Sequence, residues 1–399
     1  MKGNYFLGSR QFQVREMSFP PLGDFEVKIQ NMAAGICGTD IHIYHGEKGS
    51  AEVTPPVVLG HEYAGVVVET GRGVTTVRTG DHVTADPNIY CGTCPYCKAG
   101  KKQLCSNLVA VGVNFDGGFA QYSVVPEGQV YRLNPEVSFA EGAMAEPLAC
   151  CIHGVELAGI ELGDTVCVIG GGAIGLLMVQ LARLKGAPRV ILSEPVENRR
   201  RIGLTLGADY AFNPLEKPLD VQLRDTLGIA GAQVVIECVG KTFATQQAVS
   251  AADKGATVLL FSVPQAGAEY GLPLFEVYQK ELTVKGSFIN PDTHQKAVNL
   301  INSGKIKTAP LITHQYPLSQ LEAALFKQMD YDSVKVQAPP KQSKGPAFET
   351  PALWASCQSS ANDFLDFSYL KVRHKKLQIA KSSPGPQRLP FITQPGPLA

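Results

Sequence analysis

Apolar and polar positions follow different rhythms along the chain. From residue 1 to about 148 the apolar runs are short, as in FEVKIQNM, YAGVVVETG and DHVTADP, and Gly, Pro and Asp turns separate them. That pattern predicts a β-rich segment. From 149 to 290, apolar strands (VCVIG, RVILSE, VVIECVG, ATVLLFSV, LTVKGSF) alternate with helical stretches (IGLLMVQLARLKG, VENRRRIGLTLGA, TFATQQAVSAA). Such alternation predicts βαβ units on a parallel sheet, an α/β architecture. Residues 291–336 add a helix over HQKAVNLINSGKI, another around LSQLEAALFKQM, and a short strand, SVKV. No internal repeat is present.

One stretch strains this reading. Thr165 to Ala182, TVCVIGGGAIGLLMVQLA, runs eighteen residues without a charge, close to the length of a membrane span. Four glycines interrupt it, with β-branched residues before them and helix formers after. A buried strand, a glycine turn and a buried helix account for it better.

Residues 337–399 break the rhythm altogether. They hold nine prolines, eight Lys/Arg against three Asp/Glu, and the single tryptophan, Trp354. An atypical Pro-rich basic tail, without packed structure, is the expectation.

Charge narrows the partners. Lys+Arg and Asp+Glu both number 36, so no net field recruits nucleic acid or an anionic membrane. The start, MKGNYFLGSRQFQVRE, has no apolar run long enough for a signal peptide, and a cytoplasmic protein is expected. In that compartment clustered cysteines bind metal or do redox chemistry more often than they form disulfides.

Two motifs carry candidate chemistry. Gly170, Gly172 and Gly175 form G-x-G-x-x-G after a predicted strand, with Ala173 and Ile174 opening the helix. The first glycine permits the turn, the second lets backbone approach a pyrophosphate, and the third allows close helix–strand packing. Glu194 ends the next strand, nineteen residues beyond Gly175, where a carboxylate accepts ribose hydroxyls and repels a 2′-phosphate. NAD is therefore expected over NADP, with Arg199 and Arg200 close enough to soften the preference.

The second motif is Cys91, Cys94, Cys97 and Cys105, spaced C-x2-C-x2-C-x7-C. An iron–sulfur cluster can use such a start, but the bacterial run places its fourth cysteine after three residues and before proline. Here the gap is seven and Ser106 follows. Four thiolates around zinc leave no open position and would support folding rather than chemistry. Three further fragments, GICGTDIH, GHE and AEPLACCIHG, each set a metal-capable side chain beside glycine or proline.

Taken in order and spacing, GICGTDIH, VLGHEYAGVV, the cysteine run, DGGFAQY, EPLACCIHG, GGGAIG and VIECVG resemble the zinc-dependent medium-chain alcohol dehydrogenases, in particular the sorbitol (polyol) and threonine dehydrogenase branches. The resemblance spans residues 1 to about 336. It implies a GroES-like β-barrel catalytic domain (1–148 and 291–336, with a zinc lobe at 88–108) and an inserted Rossmann domain (149–290). It also implies two zinc ions per chain. Cys91, Cys94, Cys97 and Cys105 would hold the structural one. Cys37, His61 and Glu146 would hold the catalytic one, with Glu62 as an additional or water-mediated neighbour. Cys150 and Cys151, otherwise core residues, are the substitutes should Glu146 not ligate.

The reaction implied is hydride transfer from a secondary alcohol (a polyol, sugar alcohol or sugar acid) to NAD, giving a ketone. Thr39 and His42 occupy the positions of the family's proton relay, an exposed loop histidine being the lesser reading of His42, and Asp40 would brace the loop or orient a ligand. Many polyol enzymes carry an arginine soon after KG-x-F, whereas this chain continues with Ile289 and Asn290. Threonine dehydrogenases share GICGTD-x-HIY, so an amino alcohol is the alternative substrate. A binding protein that retains the fold without catalysis is the other alternative. Phe115 and Phe288 could wall the pocket. Family members are usually homodimers or homotetramers.

Overall fold

The computed structural model describes residues 1–47 and 52–340. The expectation for the basic tail beyond residue 340 lies outside the described residues.

A mixed sheet forms the first lobe. Its strands run in the order Val130–Arg132, His82–Ala85, Glu62–Thr70, Glu26–Gly35, Lys335–Gln337 and Ile312–Gln315, with Tyr122–Pro126 also paired to Glu26–Gly35. Glu26–Gly35 alternates buried and half-buried positions, the period-2 pattern of a strand with one face on a core. Phe6, Ile29, Val58, Leu59, Tyr63, Val67 and Phe119 fill that core. Gly35 lies opposite Glu62 on one side and Gln337 on the other. One end of this lobe is thus closed by residues some 300 positions apart in the chain.

The second lobe is a six-stranded parallel sheet, ordered Tyr210–Phe212, Arg189–Ser193, Thr165–Ile169, Ala232–Glu237, Ala252–Leu260, Thr283–Gly286. In chain order that is 3-2-1-4-5-6, the doubly wound arrangement with its switch point beside Thr165–Ile169. The uncharged stretch from Thr165 divides as its glycines suggest, into the buried strand Thr165–Ile169 and the helix Ala173–Leu184.

The helix Ala145–Ala158 joins the lobes. It packs on the strand Glu62–Thr70 and on the helices Ala173–Leu184 and His294–Asn302. One continuous apolar cluster contains Ala33 and Ala64 from the first lobe, Met144, Leu148 and Ile152 from this helix, and Leu176, Leu177 and Met178 from the second. The division expected after residue 148 falls inside it.

Residues 88–108 leave the first lobe as an excursion. The strands Asn88–Ile89 and Val109–Ala110 pair antiparallel at its base, and the short helical turns Pro95–Lys98 and Lys102–Leu104 build its tip. Asn88 Nδ2 donates to Asn290 Oδ1 at 2.5 Å, and Lys102 pairs with Asp292 at 2.8 Å. The excursion is thereby tied to the segment through which the chain returns to the first lobe.

Candidate active site

Cys37, His61 and Glu62 bring a sulfur, an imidazole nitrogen and a carboxylate oxygen within 4.8 Å of one another. Two tight turns accomplish this. Cys37 follows the strand Glu26–Gly35 and caps the helix Gly38–Tyr44. Its N–H donates to Asp40 Oδ2 at 2.9 Å, which fixes the backbone at the head of the helix. On the facing strand, Gly60 turns with φ +94° and the Phe119 ring occupies the space a Cβ would need. Only glycine fits there, and the turn delivers His61 and Glu62 together.

The electrostatics of this cluster favour a cation. Burial opposes charging His61, but the surrounding negative charges of Asp40, Cys37 and Glu146 outweigh it and push the imidazole well above its usual range. Asp40 is wholly buried, and its Oδ1 lies 3.7 Å from His61 Nδ1, too far for a hydrogen bond. Both atoms lack a hydrogen-bond partner. Thiolate, imidazole and carboxylate are the donors zinc takes in open, catalytic sites, and these residues fit it.

Glu146 lies in the first turn of the helix Ala145–Ala158 and is buried. It falls outside the mutually close set, yet its field reaches His61. Burial, with the Glu62 charge, pushes its carboxyl up to about 7 against the opposing pull of His61. Cys150 Sγ donates to Glu146 Oε1 at 3.4 Å, and burial and that carboxylate hold the thiol well above its usual range. Cys151 is buried, its thiol 3.9 Å from Ile174 O.

Lys335, from Lys335–Gln337, the last strand among the described residues, completes the surroundings. It is buried, meets the Glu62 carboxylate in an ion pair, and donates to Ile36 O at 2.9 Å. Desolvation opposes its charge, but Glu62 and Cys37 outweigh that and raise its pKa. Nothing in SVKV advertised this role. Thr39 is buried beside Cys37, whereas His42 is half-exposed with Nδ1 2.5 Å from Glu47 Oε2.

The glycine turn forms the other half of the site. Gly170 has φ +99°, and a Cβ on Gly175 would collide with Gly170 O. A Cβ on Gly172 would meet no protein atom within 4 Å, so this glycine stands beside open space. Gly172 also caps the helix Ala173–Leu184 with no side-chain acceptor, so the first-turn N–H groups stay free for an anion. Glu194 is buried; its carboxylate accepts Gly171 N–H at 2.6 Å and Val196 N–H at 2.8 Å. Arg199 donates to Ser333 O and Asp330 O, and Arg200 to Glu194 O and Pro195 O. Arg199 thus gives Nε and Nη2 to backbone while its Nη1 lies 3.9 Å from Glu194 Oε2, and Arg200 gives Nη1 to backbone. These residues fit a dinucleotide.

Cys91, Cys94, Cys97 and Cys105 place four sulfurs within 4.8 Å of one another, all as free thiols. Backbone N–H groups of Cys91, Cys94, Cys97 and Asn107 donate to sulfurs at 3.4–3.5 Å. Contacts from Thr93 and Cys94 lower Cys91 to about 5, while burial pushes Cys97 up to about 12. Four cysteine sulfurs this close together are the donor set of a closed zinc, and they fit it. Phe288 lines a cavity of about 200 Å³ with Asn88, Leu108, Val113, Asn114 and Ile289. Phe115 is not part of that lining and is mostly exposed.

Comparison with known proteins agrees with this architecture. Residues 23–135 match the alcohol dehydrogenase GroES-like domain, and residues 173–303 the zinc-binding dehydrogenase domain. Sorbitol dehydrogenase of Halalkalibacterium halodurans is 34% identical over 339 residues, covering 84% of this chain and 97% of that protein. L-threonine 3-dehydrogenase of Symbiobacterium thermophilum is 36% identical over 317 residues, covering 78% and 90%. A crystal structure of a zinc-binding dehydrogenase from Sinorhizobium meliloti 1021, bound to NADP, superposes with a TM-score of 0.81 at 39% identity, covering 85% of this chain and 99% of that one. The chain belongs to the zinc-dependent medium-chain alcohol dehydrogenase family, a class of NAD(P)-linked oxidoreductases. No helix among the described residues is long and apolar enough to cross a membrane.

Proposed function

We propose that this enzyme oxidises a secondary alcohol of a polyol, sugar alcohol or sugar acid to the ketone, with NAD as acceptor and two zinc ions per chain. The convergence of Cys37, His61 and Glu62 within 4.8 Å is the observation that carries the reading. Zinc bound there would act as a Lewis acid on the substrate hydroxyl, and NAD would take up the hydride.

The chain's own residues supply the rest. Cys37 and His61 are the ligands, with one carboxylate from Glu62 or Glu146 beside them. Glu62 is already compensated by Lys335, which favours Glu146 as the third ligand and leaves Glu62 as a neighbour. Asp40 braces the loop by accepting the Cys37 N–H and places negative charge beside His61. Thr39 takes the substrate proton and passes it toward His42 at the solvent edge. Gly172 and the free N–H groups of its helix receive the pyrophosphate. Glu194 presents its carboxylate to the adenosine ribose, where its charge would repel a 2′-phosphate, which favours NAD. We further propose that the enzyme is a homodimer or homotetramer of the cytoplasm.

L-threonine is the second reading, favoured by the similarity to L-threonine 3-dehydrogenases. The deciding experiment follows nicotinamide absorbance with sugar alcohols, sugar acids, simple diols and L-threonine, each with NAD and with NADP. Turnover of a polyol or sugar acid with NAD is expected. Turnover of L-threonine alone transfers the assignment to the second reading, and no turnover of any alcohol refutes both.

A further inference from the structure

The chain reverses after the helix Gly38–Tyr44 in a way that places one carboxylate on one imidazole. Gly46 has φ +80°, its N–H donates to Ile43 O at 3.0 Å, and the Glu47 N–H donates to His42 O at 2.9 Å. Those two bonds with a left-handed glycine are a Schellman ending. Its consequence is that Glu47 folds back along the last turn and its Oε2 meets His42 Nδ1 at 2.5 Å. The two side chains are 27% and 35% exposed, so the contact is at a wet edge but not freely rotating in solvent. The His42 contact lowers the Glu47 pKa, with smaller contributions from His42, His45 and Lys241 charges. Glu47 is therefore an anion across the working range. Lys241 follows Gly240 at the end of the strand Ala232–Glu237, so positive charge from the cofactor-binding lobe also faces it.

An imidazole has two nitrogens, and a relay needs a defined one to accept the proton. A carboxylate on Nδ1 keeps the proton on that nitrogen and leaves the Nε2 lone pair free. We propose that Glu47 is a positioning residue for the reaction, holding His42 as the Nδ1–H tautomer with Nε2 directed to the relay. The proton leaving the substrate then forms a bond to Nε2, the imidazolium shares its Nδ1 proton with Glu47, and Nε2 returns its proton to water. No oxidant or further reactant enters this step. The inference rests on the relay role of His42 given above.

The test uses His-selectively 15N-labelled full-length protein carrying its metal, with and without NAD. Long-range 1H–15N correlation above the pH of His42 titration reads the tautomer directly. The wild-type chain is expected in the Nδ1–H form. Glu47→Ala should shift it toward Nε2–H, and Glu47→Gln, which retains an acceptor oxygen, should restore Nδ1–H. In turnover, Glu47→Ala should lower kcat by about tenfold, a fraction of the hundredfold or more that general-base catalysis commonly supplies, with KM for NAD changed less and Glu47→Gln recovering most of it. An unchanged tautomer in Glu47→Ala, or a kcat equal to wild type, overturns the proposal. His42→Asn separates the two ideas: full activity in that variant removes the relay itself, whereas its loss alongside an intact Glu47→Ala removes only the role of Glu47.

Discussion

Lys335 and Glu62 form an ion pair sealed from solvent, one partner on the strand Lys335–Gln337 and the other at the head of Glu62–Thr70. Gly35 stands between the two strands, and a Cβ there would collide with the Glu62 carboxylate and press on the Lys335 stem. The strand Lys335–Gln337 thus extends the sheet from Glu26–Gly35 and also neutralises a carboxylate beside the metal donors.

Removing one partner of such a pair strands the other charge in the interior. Lys335→Met should therefore lower unfolding stability by about 3–5 kcal/mol, measured by urea denaturation of the zinc-loaded enzyme. Lys335→Arg keeps the charge and should lose much less. Equal stability of Lys335→Met and wild type would show that the pair contributes nothing.

Two glycines of one turn should behave differently. Gly175→Ala drives a Cβ into Gly170 O, so the strand–helix packing must shift and both stability and NAD affinity should fall. Gly172→Ala meets no protein atom; its melting temperature should match wild type while NAD affinity drops about tenfold or more. Calorimetric titration with thermal melts of both variants checks the pair.

Acid sensitivity has an identifiable source. His294 is fully buried against the Tyr131 ring, with a centroid separation of 4.7 Å and no hydrogen-bond partner on either nitrogen. Burial drops its pKa from 6.5 to about 3. The folded pKa lies below the unfolded one, so the unfolded chain binds the proton first. Its contribution is intact above about pH 6.5 and falls by about 1.4 kcal/mol per pH unit as pH drops toward 3. Asp86 opposes this between 3.8 and about 6, because burial raises its pKa and the folded form takes the proton first. Comparing His294→Phe with wild type isolates the histidine: the variant should lose less stability between pH 6.5 and 4.5.

The four-cysteine excursion should lose its metal without erasing the other site. Cys97→Ser is expected to bind one zinc fewer per chain and to melt at lower temperature, because the closed site contributes folding energy directly. Metal analysis together with the melt checks it.

How much of this was legible in the sequence follows from what each feature depends on. The glycine turn and the four-cysteine run are local: spacing alone dictates backbone approach or a shared ion, and both lie where their patterns pointed. Period-2 and βαβ rhythms likewise marked Glu26–Gly35 and the parallel strands. The helix Gly38–Tyr44 was hidden, because GTDIHIY carries β-branched residues at strand-like spacing and only Asp40 at its third position signals a cap. Lys335 could not be read, since its meaning comes from an ion pair with Glu62, some 270 residues away and across an intervening strand. Glu47 needed the helix ending to be known first, for only Gly46 in the left-handed conformation brings it onto His42. A Gly46 just past a possible helix end was the one available signal.

The account stands on an open metal site at Cys37 and His61 that does the chemistry, distinct from the closed one. Zinc content and alcohol-dependent NAD reduction of Cys37→Ala, measured on the same preparation, test this most directly. One zinc per chain retained at the cysteine excursion, with turnover reduced at least a thousandfold, is the predicted result. Two zinc ions retained with turnover intact would contradict it.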